Sequence, residues 1–134
     1  MRVTSEIFSK LFPAAQTHNL RIIALNRRDY VGSTPYSPAE LSVLTAGDDE
    51  HFAFLHARGL EIARFLVYVV KELKIPPVSA DKKEGGLAVL GWSLGNVTTL
   101  AFLSYLKTYP SEVIQALNSY LRSFFLFGKF LCFL

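Results

Sequence analysis

The chain has the length and composition of one folded domain. Its 134 residues are 51% hydrophobic and 19% charged, which is enough apolar sequence to bury a core and excludes a disordered or fibrous chain. The formal net charge of +3 comes from 14 Lys and Arg against 11 Asp and Glu, and these residues are scattered along the chain. Such a distribution does not predict a nucleic acid partner, because nucleic acid selects clustered basic side chains.

The cysteine content and the N-terminal sequence both favour a cytoplasmic location. Cys132 is the only cysteine, so no internal disulfide is possible, and the sequence shows no spacing of metal ligands. We therefore predict neither a metal nor another cofactor. Glu6 and Lys10 interrupt the apolar residues near the start of the chain, where a secretory signal would have a continuous apolar run.

The first third of the chain predicts a short helix, a buried strand and a long loop. Apolar residues have helical spacing over 7–12, and Pro13 is expected to end that helix. Residues 20–25, Leu-Arg-Ile-Ile-Ala-Leu, are typical of a strand that is covered on both faces, as parallel sheets require. The turn-forming residues over 26–38 predict an irregular loop.

A long amphipathic helix is the clearest element of the sequence. The acidic run 48–50 suits a helix start, and Gly59 is expected to delay or weaken the first turns. The proline pair at 76–77 ends the pattern, and the polar stretch 79–86 predicts a surface loop. The apolar side chains share one face, with charged side chains on the opposite face; they are Ile62, Phe65, Leu66, Val69, Val70 and Leu73.

The segment 87–106 carries the pattern with the most chemical content. A short apolar strand over 87–90 runs directly into Gly91-Trp-Ser-Leu-Gly95, and a helical pattern follows from Asn96. This order of strand, G-x-S-x-G and helix is typical of a nucleophile elbow, in which a serine occupies a sharp and strained turn. The turn crowds the positions two before and two after the serine, and Gly91 and Gly95 meet the need for small residues there.

Ser93 is the candidate nucleophile of this turn. The turn aims the Ser93 hydroxyl out of the sheet, close to the positive N-terminal end of the following helix. The backbone N–H of Leu94 is the candidate oxyanion donor. The alternative interpretation of Ser93 is an ordinary turn serine. We expect Trp92 to pack against the helix that follows.

The chain resembles the middle of an α/β-hydrolase-fold protein of the esterase, lipase and epoxide-hydrolase-like group. A second stretch, Asn26-Arg-Arg-Asp-Tyr-Val-Gly-Ser-Thr34, is similar to the family's D-x-R-G-x-G-x-S-like loop. Arg28, Gly32 and Ser33 stand at matching positions, whereas Asn26 replaces the usual Asp and Asp29 the usual Gly. Apart from the resemblance, we interpret the loop arginines 27 and 28 as solvated side chains.

The resemblance implies a fold class and a domain organisation. It covers residues 7–127 and implies an α/β fold, with a mostly parallel sheet and flanking helices, that is truncated at both ends. The single incomplete domain would occupy residues 1–134. The strand that the family places between those of 20–25 and 87–90 is absent, so we expect a gap in the sheet or a different pairing.

The resemblance also implies a serine hydrolase whose triad this chain does not complete. The family order is Ser, then Asp or Glu, then His, and after Ser93 the chain has no Asp, no His and only Glu112. We interpret Glu112 as a solvated residue at a helix start and His56 as a partly exposed helix residue. The parent enzyme would act on a small acyl or ester substrate through an acyl-Ser93 intermediate, and this chain would be inactive alone.

Two other function classes remain open. One is a non-catalytic α/β-hydrolase relative that acts as an interaction module. The other is membrane association through the apolar tail 124–134, which contains Lys129 and is about half as long as a bilayer span. We expect a buried strand in this tail and no membrane contact.

Overall fold

The computed structural model describes residues 8–128 of the chain. It divides the chain into two compact units, Met1–Thr45 and Ala46–Leu134. The second unit contains a two-stranded parallel sheet and three α-helices, so the predicted α/β class is confirmed. The prediction of a single domain stays a prediction, as does the incomplete hydrolase fold.

The helix near the start of the chain lies later than predicted. Helix α1 spans Leu11–Thr17 and continues through Pro13. Proline is tolerated there because the first N–H groups of a helix have no intrahelical acceptor, so the missing proline N–H removes no hydrogen bond. The prediction that Pro13 ends the helix is therefore wrong.

Residues 20–25 do not form a strand. The sheet of the described residues contains only two strands, both of which lie in the second unit. A strand needs a neighbour for its backbone N–H and C=O groups, and this segment has none in that sheet. Its apolar side chains are exposed, by 65% at Leu20, 41% at Ile23 and 38% at Leu25. The prediction of a buried strand is wrong because the local pattern carries no information about a partner.

The loop predicted over 26–38 is confirmed over residues 26–37 and is held by one arginine. Helix α2, Pro38–Ser42, follows it, with Ser37 and Glu40 forming a capping box. Arg28 binds both carboxylate oxygens of Glu40 and donates to the Pro35 carbonyl at 2.8 Å. Its hydrogen bond lowers the pKa of Glu40 to about 2. The prediction that Arg28 is a solvated side chain is wrong, because its ion pair with Glu40 fixes it.

The long helix is confirmed as α3, which spans Asp48–Glu72 and carries three acidic residues in its first turn. Those carboxylates stabilise the helix, because its N-terminal end carries partial positive charge. Gly59 does not interrupt it, and the helix runs 25 residues without a break. Gly59 is instead buried at a helix crossing, where an added Cβ would lie 2.8 Å from the Phe102 nitrogen. The expectation that Gly59 weakens the helix start is wrong, since the glycine serves close packing.

The elements of the second unit follow the order strand, helices, strand. Strand β1 spans Leu87–Trp92 and strand β2 spans Leu121–Phe127. Between them lie α4, Gly95–Ser104, a 3₁₀ turn at Leu106–Thr108, and α5, Ser111–Asn118. The strands pair in parallel, which requires a crossover connection of this kind. The predicted strand at 87–90 is confirmed, and so is a strand within the apolar tail. The prediction that the tail strand is buried is wrong, because Phe125, Leu126 and Phe127 are at least half exposed. Residues 129–134 of that tail lie outside the described part.

The core of the second unit lies between the helices and one face of the sheet. Phe102 and Leu117 are fully buried at its centre, and Phe124 of β2 packs on Phe102 with ring centroids 5.8 Å apart. Tyr109 follows the 3₁₀ turn and is also buried, and its hydroxyl donates to the Ala101 carbonyl at 3.3 Å. The helices and the strands are therefore joined by one apolar cluster.

Burial of Tyr109 predicts a loss of stability in alkali. Burial raises the pKa of the Tyr109 phenol from 10.0 to about 12, so the folded state favours the neutral form. Its contribution to the free energy of unfolding is complete below pH 10 and is lost as the pH rises through 12. We expect the stability difference between the wild type and Tyr109→Phe to shrink between pH 10 and 12 in urea unfolding. A constant difference across that range would contradict this prediction.

Candidate active site at the strand-to-helix turn

Ser93 occupies the turn between β1 and α4 with a left-handed backbone. Its φ is +52°, which non-glycine residues seldom adopt. The turn contains only Ser93 and Leu94, because β1 ends at Trp92 and α4 begins at Gly95. Strain of this kind at a serine between a strand and a helix is the backbone feature of a nucleophile elbow.

The end of strand β2 holds this turn in place. The Ser93 N–H donates to the Phe127 carbonyl oxygen at 2.9 Å, and the Asn96 side-chain amide donates to the same oxygen at 3.3 Å. The Asn96 backbone N–H in turn donates to the Ser93 carbonyl at 2.9 Å. Two hydrogen bonds therefore hold the Ser93 backbone, and a third joins Asn96 to the same strand end. Together they offset the cost of the left-handed φ, which is on the order of 1–3 kcal/mol.

The two glycines of the motif have different surroundings. An added Cβ at Gly91 would lie 2.6 Å from the Asn96 Oδ1 atom and 3.0 Å from the Asn96 Cα atom. Helix α4 therefore approaches β1 so closely that only glycine fits. An added Cβ at Gly95 would meet nothing within 4 Å. The predicted crowding is present at Gly91 and absent at Gly95.

Ser93 is exposed and lies among apolar side chains. Trp92, Leu94 and Phe127 flank it and are 40%, 60% and 66% exposed. Trp92 lies on the sheet face opposite to Gly91, because successive side chains of a strand alternate. Since Gly91 faces α4, the prediction that Trp92 packs against this helix is wrong.

The predicted oxyanion donor lies in the first turn region of α4. Leu94 precedes the helix with φ −59° and ψ −21°, which is already helical backbone. Backbone N–H groups at such a position point along the helix axis towards its N-terminal end, where partial positive charge accumulates. The place of Leu94 agrees with the role that the sequence predicts, and the role itself stays a prediction.

The histidines of the second unit do not reach Ser93. His56 lies in α3 with its Nε2 atom 3.1 Å from the Thr108 hydroxyl, and its ring packs on Tyr105 and Tyr109. Thr108 follows the C-terminal end of α4, whereas Ser93 precedes the N-terminal end of that ten-residue helix. A helix of this length separates its ends by about 15 Å. His56 is half-buried and helical, as predicted, and is not a base for Ser93.

The remaining candidate acid and bases are also accounted for within the described residues. Glu112 is exposed in the first turn of α5, which confirms its interpretation as a helix-start residue. His51 lies in α3 on the N-terminal side of His56, and His18 belongs to the unit of residues 8–45. The structure therefore places Ser93 directly before α4, and it brings none of these candidate partners from residues 46–128 to the serine.

Asn96 and Phe127 are the site residues that sequence reasoning missed. Asn96 is 3% exposed, and its Oδ1 atom has no hydrogen-bond partner among the described residues. The signal available in the sequence was a polar residue directly after the second glycine of the motif. No local signal pointed to Phe127, because it reaches the turn only through sheet pairing.

Comparisons with protein-family models, curated proteins and solved structures return no match to this chain. Residues 8–128 contain no group of three metal-ligating side chains in reach of one ion. Within the same range, every helix is too short or too polar to cross a membrane.

Proposed function

We propose that Ser93 is the nucleophile of a serine hydrolase that acts on a small acyl or ester substrate. The observation that carries the proposal is the left-handed φ of Ser93 between β1 and α4. An elbow of this shape presents the hydroxyl beyond the edge of the sheet. The exposed apolar side chain of Leu94, next to Ser93, favours a substrate with an apolar group next to its carbonyl.

The proposed reaction is acyl transfer to serine. The Ser93 Oγ atom attacks the carbonyl carbon, the hydroxyl proton passes to a general base, and the carbonyl oxygen becomes an oxyanion near the Leu94 N–H. Collapse of this intermediate expels the alcohol and leaves an acyl ester on Ser93, which water then hydrolyses. The base and its orienting acid would come from outside residues 46–128, so the chain alone would be inactive. The proposed location is the cytoplasm.

A fluorophosphonate probe with added imidazole tests the nucleophile. Without a base, we expect the folded chain to label no faster than a Ser93→Ala variant. Because Ser93 is exposed, imidazole can approach its hydroxyl and act as an external base, so we expect it to accelerate labelling of the wild type. Ser104→Ala, at the far end of α4, is the matched control and should label like the wild type.

The outcomes separate the parts of the proposal. Labelling at Ser93 without imidazole would contradict the inactive chain and would require a base within it. Equal labelling of the wild type and Ser93→Ala under both conditions would contradict the role of Ser93 as nucleophile.

A second candidate function, a non-catalytic interaction module, is favoured by the exposed apolar face of the sheet. It predicts a stable fold, a partner and no Ser93-dependent labelling.

A further inference from the structure

One face of the two-stranded sheet is apolar and exposed. Pairing sets Leu90 beside Phe125 and Trp92 beside Phe127 on this face, which we call the outer face. These side chains are exposed by 52% at Leu90, 40% at Trp92, 53% at Phe125 and 66% at Phe127. The opposite face, with Val89 and Phe124, packs on the core cluster. Ala88 and Ser123 continue the outer face. Arg122, the unpaired residue of the register shift beside them, donates to the Lys82 and Lys83 carbonyls.

Parallel sheets are rarely left open on one face. They occur almost only where both faces are covered, because their strands carry apolar side chains on both sides. In residues 46–128, helices cover one face and the outer face stays in water. A contiguous apolar patch of this kind marks an interaction surface.

We infer that the outer face docks onto the outer face of a second copy of this chain. The four large side chains of the face are all apolar, so the face needs no opposite charge on its partner and suits a second copy of itself. A two-fold axis through such a face brings the same four large side chains of both copies together, which is an isologous contact. Two sheets packed in this way interdigitate their side chains about 10 Å apart.

The area available is sufficient for a weak and specific dimer. From the exposed fractions and the usual size of aromatic and leucine side chains, the outer face offers roughly 500 Å² of apolar surface per copy. Two copies would bury about 1,000 Å², which is the lower limit for a specific interface. We therefore expect a dimer that dissociates on dilution. This inference does not depend on the chemistry of Ser93.

Trp92 reports directly on the outer face. It is the only tryptophan of the chain, which also has 6 tyrosines. Emission excited at wavelengths that tyrosine does not absorb therefore comes from one known position. We expect its emission to lie at shorter wavelength in the dimer, where the indole is buried, and to shift to longer wavelength on dilution. The shift should follow the dimer-to-monomer transition that sedimentation velocity measures over the same concentrations.

A pair of variants tests the same surface. Leu90→Thr with Phe125→Thr keeps residues suited to strands and removes two large apolar side chains. Each change occurs twice in a symmetric dimer, so we expect the dimer Kd to rise about 100-fold or more. Phe52→Gln with Tyr68→Gln is the matched control, because these α3 side chains are 58% and 59% exposed. The control should dimerise like the wild type.

Several results would overturn the inference. A wild type that stays monomeric, or a dimer that forms without a change in Trp92 emission, would do so. If a monomer kept its short-wavelength emission on dilution, another part of the same chain would be covering the outer face. A shift caused by phosphatidylcholine vesicles on the monomer would assign the face to lipid. The emission test uses the wild type. It therefore tests the inference even if the chain with Leu90→Thr and Phe125→Thr does not fold.

Discussion

Replacing Gly59 with alanine is expected to destabilise the second unit by about 2–4 kcal/mol. The added Cβ would lie 2.2 Å from the Tyr109 hydroxyl oxygen, and 2.8 Å and 2.9 Å from backbone atoms of Phe102 and Ala101. In an open helix the same change would stabilise by about 1 kcal/mol, so the crossing reverses the usual sign. Urea unfolding followed by circular dichroism measures the effect.

Tyr109→Phe provides the control for this prediction. Removing the hydroxyl takes away the nearest of the three contacts, so Gly59→Ala should be less damaging in the Tyr109→Phe background. The backbone contacts at Phe102 and Ala101 remain, and the rescue should be incomplete. A Gly59→Ala chain as stable as the wild type would show that α3 and α4 do not cross as closely as described.

Replacing Gly91 with alanine is expected to destabilise by about 1–3 kcal/mol. The added Cβ would lie 2.6 Å from the Asn96 Oδ1 atom, 2.8 Å from the Thr99 Oγ1 atom and 3.0 Å from the Asn96 Cα atom. The first two atoms end side chains, but the third belongs to the backbone of α4, so the helix itself must move. Such a shift would also disturb the turn at Ser93, since Asn96 donates hydrogen bonds to the carbonyl oxygens of Ser93 and Phe127.

Gly95→Ala is the matched control for the Gly91 variant. It places the same methyl group at the other glycine of the motif, where nothing lies within 4 Å. Because alanine favours helix over glycine and Gly95 is the first residue of α4, we expect stability equal to the wild type or slightly higher. Equal losses at both glycines in urea unfolding would contradict the close approach of α4 to Gly91.

The elements with strong local patterns were predictable. The apolar face of α3 repeats over several turns, and the strand, turn and helix around Ser93 follow one another without a gap. In both cases the residues that decide the structure are neighbours along the chain, so the sequence is sufficient. The loop over 26–38 was also predictable from neighbouring residues. Its hydrogen bond from Arg28 to Glu40 was not, because no sequence period links these two positions.

Elements that depend on distant partners were not predictable. Residues 20–25 have the composition of a strand, yet no neighbouring strand exists in the described sheet to satisfy them. Gly59 has a cost in helix propensity, and only the crossing with Tyr109 shows why glycine occupies the position. Trp92 was assigned to the wrong face because the sequence predicted its strand to end at residue 90, and the alternation continues to 92.

By itself the sequence determined the candidate nucleophile, its glycine neighbours and the lack of an aspartate and a histidine after Ser93 within these 134 residues. Only the tertiary structure decided how the turn is held, because the Phe127 carbonyl that binds Ser93 and Asn96 arrives by parallel pairing from 31 residues beyond Asn96. It also decided that one sheet face is left in water. The physical reason is that hydrogen-bond satisfaction and burial are properties of residues brought together in space, whereas periodicity and turn chemistry are properties of adjacent residues.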